Sequence, residues 1–144
     1  RRDGHHAEIA SPQRVRHHRA MSRFTEATWE ANGETVRGRP IVCLTSPLVY
    51  EVGFKGSGWS IEAAAGFCTD LASIPAFILR TGWGERLAAE IARSGIVHDC
   101  MRSDTRWPKL LGDYAFFEAT GVDGVPLHKR LLCLAAVLLN FNRG

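Results

Sequence analysis

The chain has 144 residues, of which 45% are apolar, so it is long enough and apolar enough to build one real core. Its net charge of +3 is carried by residues 1–20, where five arginines stand against Asp3 and Glu8; the remainder is neutral. A neutral body argues against a general nucleic-acid-binding surface. No run of about 18 apolar residues exists, so a membrane-spanning helix is not expected.

Residues 1–21 read as a basic polar tail without apolar period, and 22–144 as one domain. The tail has two histidine pairs, His5-His6 and His17-His18, and ends at Met21-Ser22, which looks like a natural start. A tail of this composition is expected to lie against a partner protein or another part of an assembly. Residues 22–38 give no clear pattern, although Asn32-Gly33 and Gly38 mark turns. From Pro40 the pattern becomes strand-like. Ile41–Leu44 is a short apolar run, Leu48–Phe54 is rich in β-formers, and Trp59–Ala63 alternates after the Gly56-Ser57-Gly58 turn. About three antiparallel strands are expected.

Gly66–Asp70 closes the sheet. Ser73-Ile74-Pro75 then reads as a helix start, with Ser73 as cap and Pro75 in the first turn, and the helix runs to Leu79. Gly82-Trp83-Gly84 breaks it. From Glu85 the period is helical, and Leu87, Ile91, Ser94 or Gly95, and His98 share a stripe. Pro108 opens a further helix to Ala119, on which Asp113 projects from an apolar face. After a turn at Gly121–Gly124, Leu127–Leu139 forms a last apolar helix. The fold class is therefore α+β, a small antiparallel sheet followed by three to four helices.

The chemistry points to Gly95-Ile96-Val97-His98-Asp99-Cys100. A neutral imidazole near its own pKa can take a proton from water at neutral pH. A carboxylate on the second ring nitrogen fixes the tautomer and stabilises the imidazolium. His98 and Asp113 are the candidate catalytic dyad. Asp99 and Asp70 are oxygen ligands suited to a divalent cation, calcium or zinc, and Thr69 and Ser73 are candidate supports. A buried Asp113 needs a partner, supplied by His98 or by an arginine such as Arg86 or Arg93. Each residue also has a structural explanation. His98 could satisfy carbonyls at a helix end, and Asp70 and Ser73 could simply organise a turn and a cap. Cys43, Cys68, Cys100 and Cys133 form no Cys-x-x-Cys pair and read as reduced, buried thiols. A zinc site from Cys68, His98 and Cys100 has no recognisable ligand spacing.

Four blocks occur in order: the strand pair ending in Gly66-Phe67, then Thr69-Asp70-Leu71-Ala72-Ser73-Ile74-Pro75, then His98-Asp99, then Asp113 with Phe116 or Phe117 after it. They resemble a family of uncharacterised proteins common in tailed phages and prophages. That resemblance implies a phage or prophage origin, and a place in the virion or, during assembly, in the host cytoplasm. The His98-Asp99 helix followed by the Asp113 helix is also similar to the phospholipases A2. That likeness implies His98 as base, Asp99 as a calcium ligand and Asp113 as the orienting carboxylate. The chain departs from the phospholipase pattern at Arg102, where a tyrosine is expected, and shows neither flanking disulfide cysteines nor an obvious calcium loop. Two functions follow as expectations. One is a phage-encoded hydrolase acting on a cell-envelope component, lipid ester or peptidoglycan. The other is a non-enzymatic virion or assembly protein whose His/Asp cluster is structural.

Overall fold

The computed structural model describes residues 23–71 and 91–139. The tail, the predicted helix start at Ser73-Ile74-Pro75, Arg86 and the Glu85 end of the next helix lie outside the described residues.

Five strands come first: β1 (Trp29–Val36), β2 (Arg39–Leu44), β3 (Leu48–Glu51), β4 (Ser60–Ala63) and β5 (Cys68–Thr69). Among the described residues three helices follow: α1 (Ala92–Ser103), α2 (Lys109–Val122) and α3 (Leu127–Leu139). The architecture is α+β, as expected. The strands form a three-stranded antiparallel sheet in the order β1-β2-β5 and a separate two-stranded ribbon, β3-β4.

The β1–β2 hairpin turns on Arg37 and Gly38, both at positive φ (52° and 77°), between the paired residues Val36 and Arg39. Two left-handed residues in a two-residue loop suit the twist of a hairpin. Asn32-Gly33 is not the expected turn. It lies inside β1, where the pairing register shifts between Ala31 and Thr35, and Gly33 takes φ 85°. Three residues of β1 stand there against one of β2, and such an insertion is accommodated most easily by a glycine in the left-handed region. Nearly all of β1 faces solvent, so burial imposes no apolar alternation on it.

The core joins the strands to the helices. Leu44, Leu48, Tyr50, Val52, Ile61 and Ala63 pack against Ile96, Val97 and Met101 of α1 and Ala115 and Ala119 of α2. A second cluster, Ile91, Phe116, Val125, Cys133 and Val137, ties α1 and α2 to α3. Helix α1 is covered on most of its circumference, with Ala92, Ser94–His98 and Met101 all buried. His98 is therefore an interior residue of a central helix. Gly95 permits one close approach beside it, whereas Gly112 leaves room for ordinary contacts. A Cβ on Gly95 would meet Leu71 Cδ2 at 3.3 Å, and one on Gly112 would lie 3.6 Å from Met101 Cβ and 3.9 Å from His98 Cδ2. Helix α2 begins one residue later than expected: Pro108, at ψ 139°, is its cap and not its first helical residue.

The expectation of four reduced thiols is overturned. Cys43 and Cys68 are joined by a disulfide, and they face one another in the β2–β5 register. Distance along the sequence hid this pairing; antiparallel strands erase that distance. Cys100 and Cys133 are free.

Candidate active site

The candidate residues come from three elements. His98 and Asp99 lie on the interior helix α1, Asp113 lies on α2, and Thr69 ends β5. His98 Nε2–H donates to Asp113 Oδ1 at 2.7 Å, with the imidazole against the ring of Phe116, 5.1 Å between centroids. The second oxygen of Asp113 accepts from the Lys109 ammonium, one turn earlier on the same helix. Lys109 Nζ also donates to the Val137 carbonyl at 2.8 Å. One carboxylate thus links α1 and α2 directly, and α3 through Lys109. Asp113 is 1% exposed and His98 5%.

On the other side of the ring, Asp99 Oδ1 lies 3.7 Å from His98 Nδ1. The Thr69 hydroxyl donates to Asp99 Oδ2 and accepts from the Leu71 N–H at 3.0 Å. The order Lys109–Asp113–His98–Asp99–Thr69 is a continuous polar line through an apolar interior. Leu71, which closes the Thr69 turn, has φ 52°. That left-handed conformation costs a non-glycine residue about 1 kcal/mol or more, so the surroundings must hold it there.

Burial alone would push the His98 pKa down, but the hydrogen bond to Asp113 and the nearby Asp99 outweigh it and hold the imidazole above its ordinary value. Burial likewise opposes ionisation of Asp113, and His98 and Lys109 overcome it, so the carboxyl lies below its ordinary value. Asp113 is accordingly the anionic member at neutral pH, able to stabilise an imidazolium. Cys100, adjacent in sequence to Asp99, has its thiol pushed up by burial and by Asp104 and Asp99. It is a protonated thiol, unsuited to act as a nucleophile.

Of the expected site residues, His98, Asp99, Asp113 and Thr69 come together. Asp70 follows Thr69 in the chain and is half-buried. Ser73 lies outside the described residues. Among the described residues, no group of three or more His, Cys, Asp or Glu side chains is placed to hold a metal ion. Arg93, a candidate partner for Asp113, instead pairs with buried Asp123, at 2.6 Å from Nη2 and 3.0 Å from Nε. Lys109 was missed, although its i, i+4 spacing to Asp113 was readable on a predicted helix. Glu118 and Asp123 were also missed. Oε1 of Glu118 accepts from Arg23 at 2.9 Å, from Tyr50 at 2.7 Å and from the Gly53 N–H at 2.8 Å. These donors come from distant parts of the chain, so no local pattern announces the cluster.

A cleft of about 620 Å³ lies between α2 and α3. Leu110, Leu111, Tyr114 and Phe117 line it from α2 and Leu134 and Leu138 from α3, and Asp113 forms part of its wall. Among the described lining residues, Asp113 is the one carboxylate. No helix among the described residues is long and apolar enough to cross a membrane.

A family model described as "Protein of unknown function (DUF1353)" matches residues 42–137. The match spans both sides of the polar line, from the strand that carries Cys43 to Val137 in α3. The chain belongs to the DUF1353 family. Neither a curated protein nor a solved structure matches it. In this DUF1353 chain the β1 arm and the tail lie outside the matched segment, whereas Thr69, His98, Asp99, Lys109 and Asp113 all lie within it.

Proposed function

We propose that this protein is a phage- or prophage-encoded hydrolase in which His98 is the general base and Asp113 its orienting carboxylate. The observation that carries the reading is the 2.7 Å contact of His98 Nε2 with Asp113 Oδ1. Asp113 is held on its other oxygen by Lys109, so it cannot turn away from the ring. A carboxylate fixed in that way sets the imidazole tautomer with its proton on Nε2 and its lone pair on Nδ1. In the reaction, Nδ1 takes a proton from water and the resulting hydroxide attacks the substrate carbonyl. The imidazolium, stabilised by Asp113 and Asp99, then returns the proton to the leaving oxygen. Every step uses groups of this chain.

The substrate is a cell-envelope component. It is either a lipid ester or peptidoglycan. The disulfide favours a place in the virion over the reducing host cytoplasm.

The test is ester release from phospholipid vesicles, with solubilised peptidoglycan in parallel, for the full chain and for His98→Asn. The wild type should turn over vesicles, and the variant should keep its circular dichroism and lose at least about a hundredfold in rate. Equal turnover by His98→Asn would remove the dyad from the mechanism.

A second reading, a non-enzymatic virion or assembly protein, draws support from a specific observation: His98 is only 5% exposed. The cluster would then serve to lock three helices together, and the tail would dock to neighbouring proteins. Absence of turnover by the wild type on both substrates, with His98→Asn unfolding, favours this reading.

A further inference from the structure

We infer that Thr69 is a positioning residue for His98, acting through Asp99, and that the Cys43–Cys68 disulfide keeps Thr69 in place. The positioning itself stands on geometry; only its bearing on catalysis rests on the hydrolase reading.

Strand β5 has just two residues, and its register with β2 consists of Val42↔Thr69 and Cys43↔Cys68. Two flanking backbone bonds continue the pairing, Leu44 N–H to Phe67 O at 2.9 Å and Gly66 N–H to Leu44 O at 2.8 Å. So short a ladder is weak by itself, and the disulfide joins the residue directly before Thr69 to the strand beside it. The chain then turns sharply. Leu71 sits at φ 52°, its N–H returns to the Thr69 hydroxyl oxygen at 3.0 Å, and its carbonyl accepts from Arg39 Nη1 at 3.0 Å. The turn is thus held from both ends: by the disulfide before Thr69 and by Arg39, the first residue of β2, after it.

A threonine hydroxyl has one proton to give. Here it goes to Asp99 Oδ2, which fixes the carboxylate plane and leaves Oδ1 beside His98 Nδ1 at 3.7 Å. Asp113 from α2, backed by Lys109, and the apolar face of Phe116 also bear on the ring. Thr69 thus holds one oxygen of the carboxylate whose other oxygen lies beside Nδ1. A valine at position 69 would fill the same volume without the proton, and would take away the hydrogen bond that holds Asp99 Oδ2.

The experiment is the titration of the His98 ring by NMR in the full chain, with no substrate present. Thr69→Val should lower the His98 midpoint, because a nearby anion supporting the imidazolium is lost. Thr69→Ser, which keeps the hydroxyl, should titrate as the wild type. The double variant Cys43→Ser/Cys68→Ser should shift in the direction of Thr69→Val while retaining a dispersed spectrum. An unchanged midpoint in Thr69→Val, or equal shifts in Thr69→Val and Thr69→Ser, overturns the inference. Should Thr69→Val fail to fold, the disulfide variant decides, and an unchanged midpoint there overturns it equally. A wild type without turnover but with these shifts would remove the hydrolase reading and leave the positioning intact.

Discussion

Replacing Asp113 by asparagine keeps the shape of the side chain and removes its charge, which makes it the most direct probe of the polar line. The Asp113 side chain is 1% exposed, with His98 at 6% and Lys109 at 22%. Both cationic partners therefore lose their counter-ion in a place where water replaces it poorly. Removing one member of a buried pair typically costs about 3–5 kcal/mol, which for a chain of this size corresponds to a fall in Tm of roughly 10 °C. The pH dependence is the sharper part. His98 has an ordinary value of 6.5 that folding raises, so its stabilisation is complete below about pH 6.5 and is lost as pH rises through the folded value. Asp113 has an ordinary value of 3.8 that folding lowers, so its contribution is present above that value and is lost as pH falls through the depressed one. The stability gap between wild type and Asp113→Asn should therefore be wide at pH 5–6 and narrower at pH 9, where Lys109 alone still needs the carboxylate. Urea unfolding followed by circular dichroism at the two pH values measures it. A gap under about 1 kcal/mol, or one equal at both, would mean that the charges do not hold the helices together.

Loss of the Cys43–Cys68 bridge, which spans 25 residues, should destabilise the chain by about 3.5 kcal/mol on the loop-entropy account; scanning calorimetry with and without a dithiol reads it. Glu118→Gln removes the charge that Arg23, Tyr50 and the Gly53 N–H share, and should cost about 1–3 kcal/mol by urea unfolding. Because folding holds the Glu118 carboxyl below its ordinary value against the opposing effect of burial, that contribution is present above the ordinary value of 4.5 and should be lost as pH falls through the lowered one. Gly112→Ala should be tolerated or should stabilise by up to about 1 kcal/mol, since its Cβ meets only ordinary contacts and the helix gains from alanine. Gly121→Ala should not gain in the same way, because its Cβ would lie 2.8 Å from Arg130 Cζ and displace a guanidinium that donates to the Phe117 carbonyl.

The helices and the β3–β4 ribbon were legible because burial writes a period into sequence. Leu127–Leu139 has the predicted bounds, and the Gly56–Gly58 turn separates the two strands of the ribbon as expected. Strand β1 was not legible for the converse reason. It is held by backbone pairing to β2 and faces solvent, so nothing constrains its side chains to alternate. The disulfide was hidden by the same pairing, which sets residues 25 positions apart face to face. The proximity of His98 and Asp113 could be anticipated because each stood out locally: a histidine ending an apolar helical stripe, and an acid on another. Glu118 did not stand out. A charge beside Phe116-Phe117 looks like an exposed helix residue until Arg23, Tyr50 and Gly53 arrive from the other end of the chain.

What separates the two functional readings is the far side of the histidine. A carboxylate on Nε2 serves a structural lock and a catalytic base equally well, and Lys109 strengthens either. A lock has no use for a second carboxylate aimed at Nδ1 by a hydroxyl on a two-residue strand, itself tied by a disulfide and closed by a leucine in the left-handed region. Strained backbone persists where the surroundings over-determine it, and the persistence points to a geometry being kept. The geometry kept here is the position of Asp99 relative to Nδ1, the nitrogen that would face a reacting proton. For that reason the hydrolase reading leads, and absence of turnover by the wild type on both lipid vesicles and peptidoglycan is the result that would reverse the order.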